Sequence, residues 1–114
     1  MSTYKLALAD VVNVPVTLYI NDKGGRRKFA FDLQAERLEA KEVKRTIEED
    51  GEQQLDEFLQ RIARGWKNQR LVLDEEGNPA EFSPEAFDLM LSVAGAQALI
   101  YQAYIRELGA REKN

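Results

Sequence analysis

Two stretches near the start of the chain alternate apolar and polar residues with a period of two. Their apolar positions are Val14, Val16, Leu18 and Ile20, followed by Phe29, Phe31 and Leu33. Residues 21–25 between them read Asn-Asp-Lys-Gly-Gly, and glycine adopts the positive φ of a tight turn without steric cost. The pattern predicts a β-hairpin over residues 11–33. Pro15 has no amide hydrogen to donate, so its strand is predicted to lie at a sheet edge.

From residue 34 onwards the apolar spacing becomes that of helices. Residues 34–49 contain no Gly or Pro and carry a narrow apolar stripe of Ala40, Val43 and Ile47. A second helix is predicted to begin at an Asp50 cap, with Gln53 reaching back, and to end at Arg64-Gly65. Its apolar residues, spaced i, i+3, i+4 and i+7, are Leu55, Phe58, Leu59 and Ile62.

The longest apolar pattern predicts a helix from Pro84 to about Leu108, with no charge between Asp88 and Arg106. Its main face consists of Phe87, Leu91, Ala94, Ala98, Tyr101, Ile105 and Leu108. A neighbouring stripe of Met90, Val93, Ile100 and Tyr104 makes the apolar arc wide. Glycine costs about 1 kcal/mol relative to alanine inside a helix, so Gly95 indicates a kink or a break. Two interpretations of the arc stay open: the rest of the fold covers it, or part of it docks a partner.

Together these elements predict an α+β fold in which an N-terminal β-hairpin packs on a bundle of three to four α-helices. We expect a single domain over residues 1–114, with the helices in residues 34–108 and a frayed tail at 109–114. The predicted core consists of Phe29, Phe31, Leu55, Phe58, Leu59, Ile62, Phe87, Leu91, Tyr101 and Ile105.

Composition narrows the function classes. The chain has no cysteine and no histidine, which removes thiolate metal sites, the usual zinc ligand and the usual general base near neutral pH. We therefore expect no catalytic residue, metal or cofactor. The uncharged run of residues 89–105 is too short and too polar to span a membrane.

A basic helix face is the remaining chemical feature to weigh. Arg37, Lys41, Lys44 and Arg45 could form a patch for phosphate backbones. They could equally form a solvated face stabilised by Lys44–Glu48 and Arg45–Glu49 pairs. The net charge of −4 opposes polyanion binding, so the second interpretation is favoured and no nucleic-acid partner is expected.

A motif precedes and opens the last helix. It consists of Trp66, the turn Asp74-Glu75-Glu76-Gly77-Asn78-Pro79, and then Phe82-Ser83-Pro84-Glu85. Ser83 is predicted to cap the helix, and Pro84 suits its first position because the proline φ is already helical. Trp66 is either an exposed recognition anchor or a core residue behind a helix end, and the apolar neighbours Ile62 and Leu71 favour the core.

This motif, with the Leu89/Leu91 helix that follows and Ala103-Tyr104 near the chain end, resembles the tail assembly chaperones of long-tailed bacteriophages. The resemblance covers roughly residues 62–108 and does not extend to the hairpin. It implies a non-catalytic morphogenesis factor in the cytoplasm of the bacterial host, absent from the mature virion. Such proteins bind the tape measure protein and help recruit tail-tube protein, and many are also made in a longer, frameshifted form.

The resemblance and the wide apolar arc together predict a helix face for client binding or self-association. Its residues are Met90, Val93, Leu99, Ile100 and Tyr104. Two other functions stay open. One is a virion structural subunit, such as a small tail-tube or connector protein whose hairpin mediates ring formation. The other is a small DNA-binding regulator that uses the helix between Arg37 and Arg45.

Overall fold

A computed structural model of the protein describes residues 6–45 and 55–109. Its elements, in chain order, are β1 (Val11–Asp22), β2 (Gly25–Glu36), α1 (Ala40–Arg45), α2 (Leu55–Ile62), β3 (Ala63–Lys67), α3 (Pro84–Leu91) and α4 (Ala96–Gly109). The described residues thus form an α+β fold with a three-stranded antiparallel sheet and four helices, which confirms the predicted fold class.

The hairpin forms as predicted from residue 11, and it is three residues longer than predicted, because β2 continues to Glu36 instead of ending at residue 33. Val14 lies opposite Leu33, and Asp22 lies opposite Gly25 beside the turn. Lys23 and Gly24 form the two-residue turn, with φ values of 55° and 79°. Two consecutive positive φ values match the twist of the flanking strands, so the turn fixes the register along the hairpin.

The strands have a buried inner face: β1 alternates buried and exposed residues as far as Tyr19, and β2 alternates buried and partly buried residues from Phe31 to Glu36. The inner face of β1 has no exposed surface at Val14 and Leu18, and α4 packs directly on this strand. Helix α2 in turn packs against α3 and α4. The outer face of β1 is exposed from Val11 to Tyr19. The described sheet is therefore covered by helices on one side only.

β1 is an edge strand, as Pro15 predicts, because the strand order is β1-β2-β3. The two residues that flank a two-residue turn form a hydrogen-bonded pair, and bonded pairs then recur at every second position. Since Asp22 flanks the turn, the even-numbered residues of β1 bond to β2. Pro15, opposite Asp32, directs its missing N–H toward the open edge, where it obstructs pairing with another strand.

The third strand corrects the prediction for residues 63–67. Helix α2 ends at Ile62, and Gly65 lies within β3 instead of terminating the helix. β3 pairs with β2, where Trp66 lies opposite Leu33, with a register shift between Gln34 and Ala35. This pairing satisfies backbone groups on the second edge of β2 between Asp32 and Ala35, and that long-range gain outweighs the local preference of glycine for a helix end.

The single helix predicted over residues 84–108 is in fact two helices. Gly95 has a φ of 88°, a value that a helix cannot contain. The Ser92 N–H still donates to the Asp88 carbonyl at 3.0 Å, whereas the Val93 N–H turns to the Met90 carbonyl at 3.1 Å. Gly95 therefore causes a break, the stronger of the two effects expected of it.

The predicted helix over residues 34–49 begins later than expected. Residues 34–36 belong to β2, and the helix α1 is described as Ala40–Arg45. Ile47, the partners Glu48 and Glu49, the Asp50 cap with Gln53, and residues 110–114 of the predicted tail lie outside the described residues.

Gly95→Ala tests the origin of the break. A Cβ at Gly95 would meet no atom within 4 Å, so its cost comes from φ alone. We expect the free energy of unfolding, measured by urea titration, to fall by about 1 kcal/mol. Gly109→Ala is the matched control, since it also has open space and no positive φ, and it should change stability little. Equal stability of the two variants would contradict this account.

Candidate protein-docking surface

The motif residues form one packed unit at the junction of sheet and helices. The Trp66 ring makes edge-to-face contacts with Phe31, Phe82 and Phe87, with ring centroids 6.3, 5.3 and 6.2 Å apart. Aromatic rings prefer this arrangement because the positive edge of one ring meets the negative face of the other. Trp66 is partly buried and holds β3 against α3, so the core interpretation describes it better than an exposed anchor does.

Gln69 organises the loop that joins β3 to α3. Only 3% of its surface is exposed, and its amide nitrogen donates to the carbonyls of Val72 and Ala80 at 2.9 and 3.0 Å. Its amide oxygen accepts from the N–H groups of Leu71 and Val72 at 3.1 and 2.9 Å. All four bonds available to a glutamine side chain are made. Sequence reasoning missed Gln69, because one amide in an aperiodic loop leaves no pattern.

The acidic turn is held by Asp74 and Gly77. The Asp74 carboxylate accepts the N–H groups of Glu76 and Asn78, each at 2.9 Å. Gly77 has a φ of 87°, so the turn needs glycine there. Glu75 and Glu76 project from this turn as exposed residues.

Helix α3 begins as predicted. The Ser83 hydroxyl oxygen accepts the Ala86 N–H at 3.0 Å, and Pro84 occupies the first turn. The side-chain amide of Gln60 donates to the Pro84 carbonyl at 2.9 Å, which ties α2 to this helix start. Phe82 packs beside the cap in the aromatic cluster with Trp66. The predicted structural role of these residues therefore agrees with their geometry.

The predicted helix face for partners is largely internal. Met90, Ile100 and Tyr104 have no exposed surface, which corrects their assignment as partner contacts. Val93 is partly buried against the core, and Leu99 is 37% exposed. The reason is the packing of several elements: α4 lies on β1, and α2 packs against both α3 and α4, so these side chains are part of the protomer's own core.

Tyr104 fixes the last helix to the end of β2. Its hydroxyl donates to the Glu36 carbonyl at 2.7 Å, and its ring packs edge-on against Phe58. Burial raises the pKa of Tyr104, and burial also raises the pKa of Tyr101, which contacts Phe58 from the next turn. Both groups are therefore held in their neutral form by the fold.

Two leucines remain exposed on the last two helices. Leu89 is 59% exposed on α3, and Leu99 is 37% exposed on α4. The neighbours of Leu89 on the exposed face of α3 are Glu85, Asp88 and Ser92. The position of Leu89 among polar residues at helical spacing is the sequence signal that could have identified it as a surface residue. We define Leu89 and Leu99 as the leucine pair.

The Arg37–Arg45 region is not a purely basic surface. A shallow hollow there is lined by Arg37, Lys41 and Arg45 together with Glu39 and Glu42. The Arg37 side chain donates through Nε to the Ala9 carbonyl at 3.1 Å, so it fixes the segment before β1. The mixed charges and the structural role of Arg37 give no support to phosphate binding.

Over residues 6–45 and 55–109, no group of three or more Asp and Glu side chains is arranged to hold a metal ion. Within the same ranges, no helix is both long and apolar enough to cross a membrane. Comparisons with protein-family models, with curated proteins and with solved structures give no match to this chain.

Gln69→Leu tests the loop. It leaves the N–H groups of Leu71 and Val72 without partners and removes one of the two donors to each of the carbonyls of Val72 and Ala80. We therefore expect a loss of about 2–3 kcal/mol in the free energy of unfolding. Trp66 is the only tryptophan, so its fluorescence follows the affected unit during urea titration. Gln102→Leu, at an exposed position on α4, should cost less than about 0.5 kcal/mol. A Gln69→Leu variant as stable as this control would show that the bonds contribute nothing.

The raised tyrosine pKa values predict alkaline destabilisation. A group whose pKa is higher in the folded state contributes fully to stability at pH values below its pKa in the unfolded chain, which is near 10 for tyrosine. That contribution is lost as the pH rises through the folded-state pKa. We expect the free energy of unfolding to fall between about pH 9 and pH 11 as the unfolded chain ionises. Tyr104→Phe should lower stability at neutral pH, through the lost bond to Glu36, and should make the alkaline decline shallower. An unchanged slope in the variant would assign the decline to other groups.

Proposed function

We propose that this protein is a non-catalytic chaperone of phage tail assembly that binds helices of the tape measure protein and aids tail-tube assembly. The observation that carries the proposal is the leucine pair: two large apolar side chains that remain exposed on adjacent helices after the fold has buried or partly buried the other large side chains of the apolar arc. Support also comes from the motif behind the resemblance, since Trp66, Gly77, Phe82, Ser83 and Pro84 build the unit that positions α3.

The small size of this surface suits a chaperone. Burial of one leucine contributes about 1.5–3 kcal/mol, so two leucines give a weak contact once the entropy cost of association is subtracted. A weak contact releases its client, as an assembly factor must when tube subunits replace it. Apolar burial is also non-directional, so it tolerates variation among the client's helices.

Electrostatics around the leucine pair favour the same role. Glu85 and Asp88 flank Leu89, and the chain carries no basic residue between Arg70 and Arg106. An acidic border keeps a chaperone–client complex soluble and attracts helices that place lysine or arginine beside their apolar face. On this proposal the protein acts in the host cytoplasm and leaves before the virion matures.

A virion structural subunit is the second candidate, and the outer face of the sheet favours it. Every outward residue of β1 from Val11 to Asn21 is uncharged, and Tyr19 is 52% exposed. A sheet face of this kind could contact neighbouring subunits in a ring. Pro15 interrupts the edge of this strand, which argues against continuous pairing of strands between subunits.

Co-expression with the tape measure protein tests the primary proposal. The wild-type chain should keep that protein soluble and should co-purify with it. Leu89→Ser combined with Leu99→Ser should weaken the complex on the order of a hundredfold, because about 3 kcal/mol of apolar burial is lost. Leu8→Ser, at another exposed leucine outside the helices, is the matched control and should bind as wild type.

Two results would overturn the proposal. One is a double variant that binds as well as the Leu8→Ser control. The other is recovery of this chain in purified virions at a fixed stoichiometry, which would favour the structural subunit.

A further inference from the structure

The tip of the hairpin is a basic end on an acidic protein. Residues 22–28 contain Asp22 and the four cations Lys23, Arg26, Arg27 and Lys28, although the whole chain has a net charge of −4. Arg27 forms an ion pair with Asp22 at 3.0 Å. No ion pair involving Lys23, Arg26 or Lys28 occurs among the described residues.

An exposed aromatic ring adjoins these cations on the outer face of the sheet. Tyr19 and Lys28 are directly opposed across the two strands, and Arg26 lies two positions from Lys28 on the same face. The Arg26 guanidinium lies 5.3 Å from the centroid of the Tyr19 ring, and this contact orients it. We call Tyr19, Arg26 and Lys28 the tip patch.

The chain also contains an acidic segment whose charge is opposite to that of the tip patch. Between Arg70 and Arg106 it has no basic residue and six carboxylates, at Asp74, Glu75, Glu76, Glu81, Glu85 and Asp88. Asp74 is committed to the backbone of its turn, whereas Glu75 and Glu76 project beside Leu73, which is 50% exposed. We call Leu73, Glu75 and Glu76 the turn patch.

The two patches are not joined within one protomer. The ion pairs of the described residues are Arg27–Asp22 and Arg64–Glu36, and neither includes a residue of the turn patch. Each patch has one exposed apolar side chain beside two exposed charges, and the charges are opposite in sign. An apolar contact bordered by ion pairs is a common composition of protein interfaces.

We propose that the tip patch of one copy docks on the turn patch of a second copy of this chain, with Tyr19 against Leu73 and the cations against the glutamates. Each copy offers one patch of each kind. Two reciprocal contacts therefore close a dimer, whereas non-reciprocal contacts produce a ring or a filament. The contact uses neither Leu89 nor Leu99, so one copy can bind a second copy and the client at the same time.

A charge-swap experiment on the full chain tests the contact by sedimentation equilibrium. Arg26→Glu with Lys28→Glu reverses the tip patch, and Glu75→Lys with Glu76→Lys reverses the turn patch. Each double variant alone should self-associate at least about tenfold more weakly than wild type, because like charges then meet. An equimolar mixture of the two should regain association, since every tip–turn contact between unlike variants joins opposite charges.

Salt and a matched control complete the test. Wild-type association should weaken at least about tenfold between about 50 and 500 mM salt, because screening acts on exposed charges. Lys41→Glu with Lys44→Glu, on α1, makes the same change in net charge as the tip variant and should associate as wild type.

The proposal is overturned if wild type stays monomeric at low salt, if either reversed variant associates as wild type, or if the mixture of reversed variants stays monomeric. Lys28→Gln and Glu75→Gln give a second measurement, because each removes one charge from a patch without reversing its sign. Each should reduce the salt dependence of association, and an unchanged dependence in both would also overturn the proposal. Such a result would concern self-association alone, because the contact of a single copy with the client through Leu89 and Leu99 uses neither patch.

Discussion

The contact between the inner face of the hairpin and helix α4 is the interaction on which the rest of the structure depends. A two-stranded hairpin is marginal in water, and a helix of 14 residues is marginal too, so neither persists alone. Packed together, they leave no surface exposed at Val14, Leu18, Ile100 and Tyr104. The Tyr104 bond to the Glu36 carbonyl joins residues 68 positions apart and fixes where the helix lies along the sheet.

Features that depend on neighbouring residues could be predicted from the sequence, and features that depend on distant contacts could not. The turn at Lys23-Gly24 and the cap at Ser83 follow from local backbone chemistry. Strand β3 does not, because residues 63–67 show no period-two alternation and Gly65 resembles a helix end. Only the free edge of β2 makes this segment a strand.

The candidate docking surface also shows this difference between features set by neighbouring residues and features set by distant contacts. The width of the apolar arc on the last helices indicates how much surface needs cover, but it does not identify what covers it. Helix α4 packs on β1 and helix α2 packs on both α3 and α4, so Met90, Ile100 and Tyr104 became core. Leu89 remained exposed, with the polar residues Glu85 and Ser92 beside it at helical spacing, a signal that periodicity along the main stripe conceals.

The two proposed surfaces are more useful together than either would be alone. A contact of two leucines is weak, and a single copy would dissociate quickly from a long helical client. If copies associate through the tip patch and the turn patch, one assembly carries several leucine pairs. When one leucine pair binds the client, the leucine pairs of the other copies are held near the client at a high effective concentration. Avidity of this kind depends on salt through the tip and the turn, and on apolar burial through the leucines. An assembly held in this way can bind a long client firmly and still release it stepwise, because no individual contact is strong.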